Sequence, residues 1–253
     1  MREMPCKGDK FMERLVGIQV VGYKRSGKTS LCEEMARLMK RKGKRVAYVK
    51  MCHHPLDRAD SDTERLSSLC EVVIGVSPSC TGVFYPHPKG FTHILSLMDA
   101  DVILVEGGKG SIDFLPRIVL VKGEEEEESL FSGPVLGVYS PERPASFSQG
   151  ASFRDVDEIV NEVLGKGFFL PGADCKGCGL NGCHELAMRI IRGQDSPERC
   201  FFLYSTGVEI EINGKRLPIN PFVEKIISST ICGLLSPLKG FSRGELRIKM
   251  KVE

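Results

Sequence analysis

The chain has 253 residues, with 35 Lys and Arg against 33 Asp and Glu and a formal charge of +2. Hydrophobic residues make up 42%, close to the globular norm once glycine is counted with them, which excludes disorder throughout. The near balance of charge gives no support to a broad basic face for nucleic acid and leaves room only for a local patch, and at roughly 150 residues per domain the length predicts one large or two modest domains.

The opening stretch, MREMPCKGDKFMER, is polar and charged. It predicts no signal peptide. No apolar run approaches the 18 or so residues of a membrane span, so the chain is expected to be cytoplasmic and free of the membrane. Its ten Cys should then be reduced, metal-bound or catalytic rather than paired as disulfides.

Leu15–Gly22 reads as a buried strand. Lys28–Arg41 reads as a helix, with Leu31, Met35, Leu38 and Met39 at helical spacing. Between them Gly22-Tyr-Lys-Arg-Ser-Gly27-Lys28-Thr29 satisfies G-x-x-x-x-G-K-[ST], a P-loop in its required context of strand before and helix after. Glycines let the backbone N–H groups of Gly22, Ser26, Gly27 and Ser30 converge on phosphate, and the helix start adds positive potential. Lys28 is placed to neutralise phosphate charge, and the Thr29 hydroxyl to ligate Mg²⁺. Lys24 and Arg25 are either solvated or a further phosphate contact.

Arg45–Lys50 is the next predicted strand, followed by a helix over Ser61–Leu69. Asp62 is a candidate acid beside the metal, or alternatively a helix cap. His53 and His54 are adjacent, so on an extended segment they point opposite ways and would chelate one metal poorly. Glu71–Val76 reads as a strand and Phe91–Met98 as a helix. Asp101–Glu106 is a strand ending in Glu-Gly-Gly. Glu106 at its carboxyl end faces the ligand crevice of an open α/β sheet, whereas Asp101 lies roughly 15 Å away at the other end. Strands over Pro116–Val121 and Pro134–Tyr139 flank the acidic run Glu124–Glu128, which reads as a solvated loop. Asp155–Leu164 closes this part with a helix. The alternation predicts βαβ units and a mainly parallel sheet.

GKGFFLPG after Leu164 reads as a linker. Cys175, Cys178, Cys183 and Cys200 follow, spaced C-x₂-C-x₄-C-x₁₆-C, three of them on a Gly-rich loop before a helix over His184–Arg192. Four thiolates suit a [4Fe–4S] cluster or structural Zn²⁺. His184 reads as a surface histidine. Cys32, Cys52, Cys70 and Cys80 are irregularly spaced and read as small hydrophobes. Beyond Gly207, VEIEI, the turn Asn213-Gly214 and Arg216–Ile219 predict a hairpin. A helix from Pro221 to about Leu238 follows. Alternating Leu246, Ile248, Met250 and Val252 predict a last strand. The expected architecture is α/β: a P-loop NTPase domain over 1–165, a four-Cys segment over 166–202 and a C-terminal α+β unit over 203–253.

GYKRSGKTS, VKMCHHPLD, DSDTERL and VILVEGGKG followed by LPRIVLV, in that order, resemble the molybdopterin-guanine dinucleotide biosynthesis protein B (MobB) family. The resemblance spans about residues 15–165. It departs at Met51, where that family often carries His after the lysine. It implies a dimeric, Mg²⁺-dependent GTP-binding accessory protein with slow hydrolysis. The implied partner is a molybdenum cofactor guanylyltransferase or a molybdopterin-binding protein. It places Lys28 and Thr29 on phosphate and metal, with Asp62 and Glu106 around the metal. The string CxxCGxxGCxxxAxxIxxGxxxxxxC resembles the [4Fe–4S] domain of the Rnf iron–sulfur subunit and of corrinoid iron–sulfur proteins. That fusion raises an alternative: nucleotide turnover gating an electron-transfer or metallocofactor-assembly cluster.

Overall fold

The computed structural model describes residues 15–52, 56–57, 60–67, 69–95, 97–122, 128–141, 150–204, 208–219, 221–240, 246–248 and 250–251. Strands β1 (Val16–Gly22), β2 (Val46–Lys50), β5 (Val102–Glu106), β6 (Arg117–Leu120), β7 (Val135–Tyr139) and β8 (Ala151–Phe153) form one six-stranded sheet. Its order is β2-β5-β1-β6-β7-β8, parallel throughout. Strands buried on both faces need continuous apolar runs, which VGIQVVG and VILVE supply.

One face carries Ile18, Val20, Val102, Leu104, Ile118 and Leu120. Helices α1 (Lys28–Arg41) and α5 (Val156–Lys166) cover it through Leu31, Met35, Met39, Ile159 and Val163. α5 starts on Asp155, whose carboxylate accepts the Glu158 N–H at 2.9 Å, a side-chain cap that its sequence position predicts.

The opposite face carries Val49, Ile103 and Val105 and is covered by the second half of the chain. Phe168, Phe169 and Leu170, predicted as linker, are buried here, and the Gly17 N–H donates to the Phe168 carbonyl at 3.2 Å. Three consecutive apolar side chains cannot stay in water when an uncovered sheet face lies beside them. Helix α6 (Cys183–Ile191) and the short α7 (Phe201–Tyr204) complete the layer with Leu186, Ala187, Phe202 and Leu203. Phe91, on α3 (Phe91–Leu95), stacks on Phe169 at 6.2 Å between centroids.

Several elements differ from expectation. Glu71–Val76 is half of a hairpin: β3 (Val73–Val76) pairs antiparallel with β4 (Thr81–Phe84), separate from the main sheet. β4 escapes prediction because Thr81-Gly82 offers too little apolar alternation. Helix α2 (Asp62–Ser67) precedes this hairpin, and the end of the acidic run, with Glu128, belongs to α4 (Glu128–Phe131). The C-terminal unit holds a two-residue hairpin, β9 (Glu211–Ile212) with β10 (Lys215–Arg216), and helix α8 (Pro221–Leu235). Leu246, Ile248 and Met250 form no strand among the described residues. Alternation alone makes no strand without a partner edge, and all three are exposed. His53, His54, Cys6, Val252 and Glu124 to Glu127 lie outside the described residues. Among the described residues no helix is long and apolar enough to cross a membrane.

Candidate functional site

β1 delivers the chain to Gly22 at the carboxyl end of the sheet, and α1 leaves from Lys28. Gly27 precedes the helix with φ 94°, a left-handed conformation that favours glycine. No side chain caps α1, and its first turn holds no acid. A helix start left open in this way presents its N–H groups and partial positive charge to an anion. The Ser26 hydroxyl is buried and has no hydrogen-bond partner among the described residues. Lys24 and Arg25 are exposed.

The Lys28 ammonium folds back over the loop, donating to the carbonyls of Gly22, at 3.0 Å, and Tyr23. Partial burial holds it below the ordinary lysine range against the pull of Glu106. The Thr29 hydroxyl stands 3.0 and 2.9 Å from the two Glu106 carboxylate oxygens. Glu106 is reached because β5 lies directly beside β1, with Val20 opposite Glu106. Its carboxylate is 8% exposed, with the Lys50 ammonium 3.4 Å away. The Tyr48 hydroxyl also donates to it. Burial would raise the Glu106 pKa, but the bonds from Tyr48 and Thr29 and the charge of Lys50 outweigh it and hold the group below the usual carboxylate range.

Tyr48 and Lys50 are the site residues that sequence reasoning missed. The signal lay in the period of β2: residues 46, 48 and 50 share a face, and β2 neighbours β5 with Lys50 opposite Glu106. Cys32, one turn along α1, is buried and its thiol is pushed up to about 12, first by burial and then by Glu106.

Past Glu106 the chain turns at Gly107, with φ 83°. A Cβ there would stand 2.8 Å from the Met51 carbonyl. Gln19, fully buried, ties this turn to β1 through a 2.8 Å bond to the Gly107 carbonyl. The structure does not bring Asp62 to this group. Asp62 opens α2 exposed and paired with Arg65. The cap of that helix is Ser61, whose hydroxyl accepts the Glu64 N–H at 3.1 Å. Asp101 sits at the far end of β5, 2.8 Å from Arg45.

The four-Cys segment lies against the face of the sheet opposite α1. Cys183 and Cys200 are buried, and Cys175 and Cys178 pack against the same cluster. Burial pushes the Cys183 thiol up to about 11 and the Cys200 thiol up to about 12. Asp174 Oδ1 accepts the Cys183 N–H at 2.6 Å, fixing the start of α6. Arg199 donates to the Cys178 carbonyl at 3.1 Å, tying the loop to the turn before Cys200. A soft, all-sulfur donor set fits iron–sulfur or zinc ligation. Among the described residues no three His, Cys, Asp or Glu side chains stand close enough to hold one metal ion. His184 is half-exposed, and its Nδ1 lies 3.0 Å from the Asp113 carbonyl.

Residues 17–138 match the model of a family described as "Molybdopterin guanine dinucleotide synthesis protein B". Residues 170–202 match one described as "Putative Fe-S cluster". Over 248 residues, 95% of this chain and 97% of the relative, the sequence is 26% identical to a protein of Methanocaldococcus jannaschii. That relative is described as a "Putative molybdopterin-guanine dinucleotide biosynthesis adapter protein". A MobB homolog from Bacillus stearothermophilus is 26% identical, covering 58% of this chain and 97% of its own, at TM-score 0.44. A structure of molybdopterin-guanine biosynthesis protein B is 25% identical, covering 59% of this chain and 97% of its own, at TM-score 0.46.

Proposed function

With residues 17–138 matching the MobB family and residues 170–202 an Fe–S cluster family, we propose that this protein is a GTP-binding adapter in molybdopterin guanine dinucleotide synthesis that carries a [4Fe–4S] cluster. The observation that carries the reading is the meeting of Thr29 and Glu106 at the mouth of an uncapped P-loop helix.

The loop N–H groups and the start of α1 bind the phosphates, and Lys28 exchanges its carbonyl partners for phosphate oxygens. Thr29 and Glu106 are the residues that would hold Mg²⁺, which supplies charge neutralisation on the phosphates. Lys50 and Tyr48 keep the Glu106 carboxylate ionised and aimed. Asp62, paired with Arg65 on α2, would exchange that partner to serve as a further acid on the metal side. Cys175, Cys178, Cys183 and Cys200 would hold the cluster, drawn closer than they stand here, and it would supply a one-electron couple or a structural clip. GTP rather than ATP, slow hydrolysis, a homodimer and a guanylyltransferase or molybdopterin-binding partner complete the reading and rest on the family.

Titration of Lys28→Ala protein with GTP and Mg²⁺ tests it. Binding is expected to vanish, and retained micromolar affinity would sink the assignment. Anaerobic protein should hold about four iron and four sulfide per chain if the ligands carry a single [4Fe–4S] cluster; one zinc and no iron would leave a structural clip.

A second reading, nucleotide-gated electron transfer, is favoured by one contact. His184, beside Cys183, touches Asp113, on the loop that leaves Glu106.

A further inference from the structure

A cavity of about 740 Å³ lies away from the P-loop, between α6 and the β6–β7 side of the sheet. Asp113, Arg117, Ser132, His184, Met188 and Arg192 line it, and none belongs to the phosphate loop or to the Glu106 group. The volume is that of a small-molecule site.

Arg117 is its unusual member. It opens β6 and is 1% exposed. The guanidinium donates to two main-chain carbonyls, Ser132 at 2.9 Å and Ile112 at 3.0 Å. Its Nε is buried and has no hydrogen-bond partner among the described residues. Gly133 makes room for it: a Cβ there would stand 2.7 Å from the Arg117 Cζ. An arginine kept in the interior on neutral acceptors, with one donor unused, is costly unless something anionic completes it. Arg192, exposed at the end of α6, puts a second guanidinium on the same cavity. Asp113, the acid among the described lining residues, lies 3.4 Å from His184 and favours the Arg117 charge, one carboxylate against two guanidinium groups. The cavity therefore keeps excess positive charge. Val135, Met188 and Ile191 give it apolar wall.

We infer that this cavity binds a small organic phosphate, its phosphate on Arg117 and Arg192 and its body against the apolar wall. An exposed guanidinium such as that of Arg192 recognises phosphate with two parallel hydrogen bonds, and Arg117, its terminal nitrogens held by carbonyls, adds charge and its Nε–H. The proposed function identifies the body as a pterin, and that part rests on it; the phosphate site does not.

The test uses the full-length holoprotein saturated with GTP and Mg²⁺, which occupies the P-loop. Fluorescence anisotropy reads 6-hydroxymethylpterin phosphate and the unphosphorylated alcohol as probes. The phosphate is expected to bind one per chain and the alcohol at least about tenfold more weakly, the worth of a charge-assisted pair. Arg192→Glu, at an exposed position, should weaken the phosphate by about tenfold or more while leaving GTP affinity unchanged. Arg117→Lys should weaken it too, with far-ultraviolet circular dichroism reporting its fold. Failure of the wild type to bind the phosphate, equal binding of phosphate and alcohol, or equal binding by Arg192→Glu would each overturn the inference. GTP titration of the same samples reads the P-loop separately, so loss of GTP binding alone counts against the proposed function and not against this cavity.

Discussion

Glu106 decides most at the scale of single residues. Its carboxylate joins β5 to α1 through Thr29 and to β2 through Tyr48 and Lys50. Its pKa lies below the ordinary value in the folded chain. The stabilisation this brings is therefore complete above the unfolded value, roughly 4.3, and is lost as pH falls through the folded one. Glu106→Gln should cost about 1–3 kcal/mol at pH 7 and flatten the acid limb of a urea-midpoint profile below about pH 5. A limb as steep as that of the wild type would mean that other carboxylates set acid stability. The same variant should lose Mg²⁺-dependent tightening of GTP while keeping Mg²⁺-independent binding, which separates its metal role from its packing.

The elements that sequence made legible are those whose local pattern and tertiary setting agree. α1 has the predicted bounds because Gly27, the apolar period and the open first turn all mark it. β5 ends on Glu106 as expected because DVILVE is bounded by Gly-Gly. Tyr48 and Lys50 escaped because strand order, not sequence, sets β2 beside β5. Asp62 instead pairs with Arg65 at the start of α2, a local partner that its place in the motif does not reveal. The second layer of the sandwich was hidden for a related reason. FFLPG looks like a linker until a sheet face needs covering, and α6 then reads as part of the core rather than an appendage. Leu186 is 1% exposed in that layer. Leu186→Ala should cost about 2–5 kcal/mol and lower Tm by on the order of 10 °C, in the iron-loaded protein as much as in the apoprotein. A loss of under 1 kcal/mol by denaturant midpoint would show that α6 contributes little to this face.

Across the whole molecule, the P-loop site at the carboxyl end of the sheet and the cysteine segment on the face opposite α1 share a connection. The chain leaves Glu106, turns at Gly107 on the Gln19 amide and reaches Ile112, Phe114 and Leu115, which pack in the same core as Cys183 and Cys200. Asp113 on this path meets His184. Under the proposed function, any rearrangement of Glu106 on nucleotide binding would act on a segment that is packed, and packed segments pass displacement on. A coupling of 1–3 kcal/mol between sites is ordinary; for a one-electron couple it corresponds to roughly 40–130 mV. The midpoint potential of the cluster, measured with and without GTP and Mg²⁺, should move by that order, and His184→Ala should shrink the movement while preserving iron content and GTP affinity. A potential indifferent to nucleotide would confine the cysteine segment to covering the sheet. The adapter reading would then stand on the P-loop face alone, because packing between two sites transmits nothing unless each ligand prefers one of two arrangements of the residues between them.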